Sequence, residues 1–250
     1  MEGRRQEILD LVNQQGEVSL TTLKERFPNV SEVTLRKDLK YLDAEHHLIR
    51  IHGGAKSIRS AYTAQENYYM RYAESTEEKK IIARKAAALL KPYDSFYLAA
   101  GSTCSGIAQE LPNIPLRIFT DGMETAIRLA KLKNLEITIL GGELAASGMQ
   151  TVGPKVLKEL EELRLDYAFC GTLSYSIGYG FGCHSTHTFT LGQVLRTRVD
   201  KMVIVMDSNK VNKVRAVRNL REKDIDIVIS DGNLDEEIVA YLKKNHVKVL

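Results

Sequence analysis

Ser31-Glu32-Val33-Thr34-Leu35-Arg36-Lys37-Asp38-Leu39-Lys40-Tyr41-Leu42 is the stretch that decides how the N-terminal part of the chain is built. Val33, Leu35, Leu39 and Leu42 recur at helical spacing and predict a helix with one buried stripe. Ser31 stands three residues ahead of Thr34, where its hydroxyl opens the helix. Ser31, Glu32, Thr34, Arg36, Lys37 and Lys40 fall away from the stripe. Their mixture of hydroxyls and cations suits phosphates and base edges. It equally suits an ordinary solvated helix face.

Upstream, residues 3–15 place Ile8, Leu9, Leu11 and Val12 at helical spacing, and Gly16 stops that helix. Ser19 is positioned to cap a second, short helix through Leu23 and Phe27, which Pro28-Asn29 breaks. Downstream, Leu48 to Ala55 reads as a short hairpin element turning at Gly53-Gly54. Helix, helix, tight turn, helix and a two-stranded hairpin is the winged helix-turn-helix plan. Its third helix enters the major groove, and its wing, here with Arg50 and His52, lies along the backbone or minor groove.

Residues 56–78 are polar and aromatic, with Tyr62, Tyr68, Tyr69 and Tyr72, and read as a linker whose tyrosines fill an interface or core. From Glu77 the texture alternates. Helices are expected at 77–90, 105–111, 123–132, 153–163, 190–199 and 235–244. Strands are expected at 95–100, 117–120, 136–140, 166–171, 202–206, 225–230 and 247–250. That order predicts an α/β domain with a doubly wound, mostly parallel sheet. The expected division is a DNA-binding domain at 1–57, a linker at 58–76 and an α/β domain at 77–250.

Such sheets bind ligands beyond the carboxyl ends of their strands. Four glycine-bearing loops fall there: Gly101-Ser102-Thr103, Asp121-Gly122, Gly141-Gly142 and Gly171-Thr172. The first runs from strand to helix, so free N–H groups, the helix dipole and two hydroxyls converge on an anion-sized spot. Lys210, after Asp207-Ser208-Asn209, supplies a cation. The plainer reading is that glycines make tight turns and Ser102 caps a helix. The glycine-rich loop from Gly178 to Gly182 suggests a mobile lid, with His184 and His187 beside it as polar loop residues rather than a metal pair.

Composition excludes more than it identifies. At 250 residues, 44% hydrophobic and 27% charged, the chain buries a real core, which excludes wholesale disorder. Net charge is +3 from 35 basic and 32 acidic residues, so bulk charge does not argue for nucleic acid. No stretch approaches the ~20 apolar residues of a membrane span, and Met1 to Glu7 lacks the apolar core of a signal peptide. Cys104, Cys170 and Cys183, an odd and widely spaced set, form neither a disulfide framework nor a zinc site. The expectation is a cytoplasmic protein without metal or cofactor.

Ser31 to Leu39, followed by Ile51-His52-Gly53-Gly54-Ala55, resembles the DNA-binding signature of DeoR-type bacterial repressors. The resemblance continues through the Gly-Ser-Thr loop, Gly141-Gly142 and Asp207-Ser208-Asn209-Lys210, and so covers essentially the whole chain. It implies a winged helix joined to a sugar-phosphate-sensing domain similar in fold to ribose-5-phosphate isomerase. It further implies repression of a sugar-catabolic operon, relieved by a phosphorylated sugar. By resemblance, Ser31, Thr34 and Arg36 face DNA, Arg50 and His52 lie in the wing, and Gly101, Ser102, Thr103 and Lys210 hold phosphate. Asp121, Gly141 and Gly171 complete the expected effector set.

Several positions depart from the family pattern. Ala99-Ala100 replace an acidic residue ahead of Gly101, and Thr172-Leu173 replace Asp-Gly after Gly171. Gln193 and Leu195 stand in place of Glu and Lys, and Asp121 in place of Asn. Isomerisation needs a positioned carboxylate base, and the loops where it would project offer alanine, threonine and leucine. Catalysis is therefore expected to be absent. The alternatives to a ligand-gated repressor are a constitutive regulator that has lost its effector and an isomerase-like enzyme. The expected partners are operator DNA, a phosphorylated sugar and further copies of the chain as a homodimer or homotetramer, since one winged helix buries little DNA.

Overall fold

The computed structural model describes residues 2–44, 47–51, 53–57, 76–145 and 148–250. The chain divides into two compact units, Met1–Glu66 and Asn67–Leu250.

The first unit runs α1 (Glu2–Gln15), β1 (Glu17–Ser19), α2 (Leu20–Arg26), α3 (Glu32–Ala44), β2 (Leu48–Ile51) and β3 (Gly54–Ser57). Ile8, Val12, Leu23, Leu35, Leu39, Leu42 and Leu48 form its core. Gly16, at φ +77°, turns α1 directly into β1. The expected hairpin is present as the antiparallel pair β2-β3, and β1 adds a third strand to it. The wing is thus a three-stranded antiparallel sheet in the order β1-β3-β2. Three residues between two helices carry too little alternation to announce β1, and Gly54 is what admits it, because a Cβ there would overlap the Val18 carbonyl. Ser19 ends β1 and caps α2, accepting the Thr22 N–H at 3.0 Å.

Asp38 locks this unit from beneath α3. It is 2% exposed, and its two oxygens accept from Arg4 Nε at 2.7 Å and Arg5 Nε at 2.9 Å. Burial alone would raise its pKa, but the hydrogen bonds and charges of the two guanidinium groups outweigh that and hold it below the usual carboxylate value. On α2, Lys24 Nζ donates to the carbonyls of Pro28 (2.8 Å) and Val30 (2.9 Å), which closes the turn into α3.

The second unit runs α4 (Thr76–Ala87), β4 (Ser95–Leu98), α5 (Ser102–Glu110), β5 (Leu116–Thr120), α6 (Met123–Leu129), β6 (Leu135–Ile139), β7 (Glu143–Ala145), β8 (Gln150–Val152), α7 (Pro154–Glu161), β9 (Leu165–Gly171), β10 (Ser174–Ser176), β11 (Gly180–Cys183), α8 (Thr186–Arg198), β12 (Val199–Val205), β13 (Val217–Leu220), β14 (Ile227–Ile229), α9 (Glu236–Lys244) and β15 (Lys248–Val249). Seven strands form one parallel sheet in the order β15-β14-β12-β9-β4-β5-β6. Side chains alternate across it. Phe96, Leu98, Phe169, Val203 and Val205 meet α4 and α5 on one face, while Tyr97, Ala168, Cys170, Met202 and Ile204 meet α7, α8 and α9 on the other. The chain lays down β4, β5 and β6 in one direction, then crosses back to place β9 against the opposite edge of β4. The boundary between β4 and β9 is thus the point where winding reverses.

Two smaller elements depart from expectation. Residues 143–152 hold the antiparallel pair β7-β8. The segment read as a mobile lid belongs to the sheet β10-β11-β13, with Phe181 fully buried and its ring 4.6 Å from that of Tyr175. Its glycines serve close packing, since a Cβ on Gly182 would overlap Ser174 Oγ. The helix expected at 190–199 begins four residues earlier, capped by Ser185, so His187 lies in its first turn.

Candidate functional site

On α3 the structure separates the two faces, with one reassignment. Leu35, Leu39 and Leu42 point inward as expected, but Val33 is 64% exposed. Two residues correspond to about 200° around a helix, so Val33 is opposite Leu35 and within about 60° of Arg36, Lys37 and Lys40. Spacing had grouped it with the leucines because it is apolar; phase places it among the cations. Ser31 Oγ accepts the Thr34 N–H at 3.2 Å and shares a 2.9 Å hydrogen bond with Thr34 Oγ1, the same arrangement seen at Ser19 and Thr22. Arg36 Nη2 lies 3.8 Å from Glu32 Oε2, both side chains mostly exposed. Such a pair holds its partners weakly, so Arg36 exchanges it readily for another acceptor. In β2 the Arg50 side chain is exposed while its N–H donates to Asp43 at 3.0 Å. His52 lies outside the described residues.

In the second unit a cavity of about 50 Å³ opens at the carboxyl end of β4 and β9, where open parallel sheets take ligands. Asp121 and Gly171 of the expected set line it, together with Tyr97, His187, Gly192 and Asn219. Asp121 organises the floor. Its Oδ1 accepts the Ala100 N–H at 2.8 Å, and its main-chain oxygen accepts the Thr151 N–H at 2.8 Å. Burial raises its pKa, with the nearby Tyr97 hydroxyl and the Ala100 N–H pulling against the rise. Burial, then the Asp121 charge, lifts the Tyr97 phenol well above its ordinary value and pushes the Cys104 thiol up to about 12. That thiol is therefore inert at neutral pH. Burial lowers His187.

Two polar atoms of the lining, His187 Nε2 and Asn219 Oδ1, have no hydrogen-bond partner among the described residues, while the buried Tyr97 hydroxyl is poorly aligned and leans on the Asp121 carboxylate. Tyr97 is fully buried and Asn219 only 6% exposed. Orphaned polar atoms in a native interior are costly and concentrate where something else satisfies them. Gly192 makes the room, because a Cβ there would overlap Asn219 Oδ1. A glycine inside a helix costs about 1 kcal/mol relative to alanine, so α8 gives up stability to admit Asn219.

The remaining expected residues sit as follows. Gly101, at φ +131°, is the N-cap of α5, and no side chain caps that helix. Its first turn, with Ser102 and Thr103, directly follows the cavity-lining Ala100. The Gly141 N–H donates to Glu159 Oε2 at 2.8 Å. Lys210 Nζ is 4.0 Å from Asp207 Oδ2, on the loop after β12, two strand spacings or about 10 Å from β4 across the sheet. Among the described residues no group of three His, Cys, Asp or Glu side chains is gathered to hold a metal ion, and no helix is long and apolar enough to cross a membrane.

A winged helix with a cationic reading face and a parallel sheet with a ligand-sized opening at its winding reversal define a transcriptional regulator with a sensor domain. Residues 4–61 match the DeoR-like helix-turn-helix domain, and residues 74–232 match the DeoR C-terminal sensor domain. The chain belongs to the DeoR family of transcriptional regulators. It is 30% identical over 246 residues to the uncharacterized HTH-type transcriptional regulator YulB of Bacillus subtilis, covering 98% of this chain and 95% of that one. The glycerol-3-phosphate regulon repressor of Escherichia coli is 28% identical, with 98% and 97% covered. The lactose phosphotransferase system repressor of Staphylococcus epidermidis is 27% identical, with 96% and 97% covered. Among solved structures, ribose 5-phosphate isomerase A of Methanocaldococcus jannaschii aligns at 17% identity over 53% of each chain, with a TM-score of 0.39. The matched families and curated relatives are regulators of transcription, not enzymes.

Proposed function

We propose that this chain represses a sugar-catabolic operon by holding its operator as a homodimer or homotetramer, and releases it when a phosphorylated sugar occupies the second unit. Ser31, Glu32, Thr34, Arg36, Lys37 and Lys40 of α3 supply the DNA contacts, with Arg50 and His52 from the wing. The phosphate sits on the uncapped first turn of α5, at Gly101, Ser102 and Thr103, where free N–H groups and the helix dipole favour an anion. Lys210 contributes only by leaving Asp207. The observation that carries the reading is the orphaned polar lining next to that turn, inside the region matching a sensor domain. Relatives named for glycerol 3-phosphate and lactose regulation point the same way.

The test is anisotropy of the full chain on a duplex selected from random sequence, titrated with sugar phosphates. Expected is binding that weakens steeply with salt and is reversed by one class of phosphorylated sugar but not by the free sugar. DNA binding indifferent to all of them would leave the constitutive regulator standing.

A further inference from the structure

We infer that the cavity between β4, β9 and α8 reads the uncharged, hydroxyl-bearing end of the ligand and rejects any ligand carrying a second anionic group. The inference rests on the second unit being a sugar-phosphate sensor, and it names which sugar phosphates that sensor accepts.

Size comes first. About 50 Å³ is room for roughly three or four waters at the ~10–15 Å³ each requires. That accommodates the terminal two or three carbons of a polyol and not a whole sugar. Ala99 and Ala100 line the cavity, and Gly101 caps α5 immediately after them. A short phosphorylated chain therefore spans from the α5 turn into the cavity, phosphate outside and hydroxyls within.

Chemistry then selects the occupant. No residue lining the cavity is Lys or Arg, and its one formal charge is the carboxylate of Asp121. Burial keeps His187 neutral at pH 7, so it supplies no positive charge. An anion placed here would lose its water and face Asp121 with no cation in compensation, an arrangement interiors avoid. A hydroxyl both donates and accepts, so it satisfies His187 Nε2 and Asn219 Oδ1 whichever tautomer or amide orientation they hold, and completes the poorly aligned Tyr97 hydroxyl beside Asp121. A carboxylate only accepts, and would face Asp121 with no lysine or arginine in the lining to offset it.

The experiment is calorimetry and thermal shift on the full chain. The probes are inorganic phosphate, glycerol 3-phosphate, ribose 5-phosphate, glucose 6-phosphate, galactose 6-phosphate, 3-phosphoglycerate, 6-phosphogluconate and fructose 1,6-bisphosphate, each against wild type, Tyr97→Phe and Gly192→Ala. Expected is that neutral-ended monophosphates bind about 100-fold or more tighter than any phospho-acid or bisphosphate, the discrimination of a site built around hydroxyl partners. Tyr97→Phe removes one hydroxyl of the lining without changing its shape. It should weaken the best monophosphate about tenfold, the worth of one hydrogen bond, and leave inorganic phosphate unchanged. Gly192→Ala should abolish the preference for a neutral end by displacing Asn219. A phospho-acid binding as tightly as the best monophosphate, or Tyr97→Phe leaving affinity within twofold, overturns the inference while the sensor reading stands. Binding of no probe overturns both.

Discussion

The reading face of α3 and the cavity behind β4 handle polar groups in opposite ways. On α3 the side chains proposed to contact DNA are in water, loosely held, as in the 3.8 Å exposed pair of Arg36 and Glu32. In the cavity the polar side chains are buried, and Asn219 Oδ1 has no partner among the described residues. The buried carboxylates of the two units show the same opposition: Asp38 is neutralised by two arginines, whereas Asp121 has only a main-chain N–H and a nearby phenol. A rigid head can present a fixed surface to a large partner that brings its own charge. A sensor must leave internal bonds unmade so that a small ligand can make them.

The largest effect should come from breaking the satisfied carboxylate. Asp38→Ala strands two arginines under α3 and should destabilise the first unit by about 3 kcal/mol, seen as a separate low-temperature transition in calorimetry of the full chain with loss of DNA binding. Because Asp38 is depressed when folded, its stabilisation is complete above its unfolded value of 3.8 and disappears as pH falls through the lower folded value. Asp38→Asn should flatten that acid limb. A variant as stable as wild type would mean the ion pairs are ornamental.

Next is Arg36→Ala, expected to cost about 1–3 kcal/mol on the selected duplex and to relax one base position. Equal loss on random DNA would make Arg36 a phosphate contact. Val33→Ala should cost less, about 1 kcal/mol for lost apolar contact, through a thymine methyl. Its penalty should vanish on a duplex with uracil for thymine; a penalty that persists would place Val33 away from the groove.

The smallest effect, and the one of opposite sign, belongs to Asp121. Its folded pKa is raised, so the unfolded chain ionises first and stability falls as pH climbs from 3.8 toward the folded value. Asp121→Asn keeps an acceptor for the Ala100 N–H, removes that fall and should raise the melting temperature of the second unit at pH 7. A lower melting temperature there would show the carboxylate is stabilising, and the contrast with Asp38 would collapse.

The head was largely legible because its signals are local. Ser19 and Ser31 sit as caps where three-residue spacing to a threonine puts them, and α3 follows from its leucines. Val33 failed because composition outweighed phase, and Asp38 was invisible because its partners are 33 and 34 residues away. In the second unit, alternation predicted the parallel sheet. The strands β7, β8, β10, β11 and β13, with three ladder pairs to each pairing and glycine-bearing in β11, carry no readable period. The cavity residues come from separate elements that only the folded sheet assembles. Tyr97 reads as strand core, and Asn219 is flanked by Arg215, Arg218 and Arg221 as though on a surface. One usable signal was Gly192, a glycine that a thirteen-residue helix does not otherwise need.

The reversal of winding at β4 also has a consequence in time. The first unit closes its core between Ile8 and Ala55, so all of it has been made before β4 begins. In the second, Ser95 at the head of β4 waits for Asp166, 71 residues later, and β9 pairs beside it. At about 5–20 residues per second of synthesis, one edge of β4 stays unpaired for roughly 4–14 s. Its backbone N–H and C=O groups on that edge have no ladder partner throughout. A ribosome making this chain therefore displays a finished DNA-reading head several seconds before the strand that will carry its sensor has a partner.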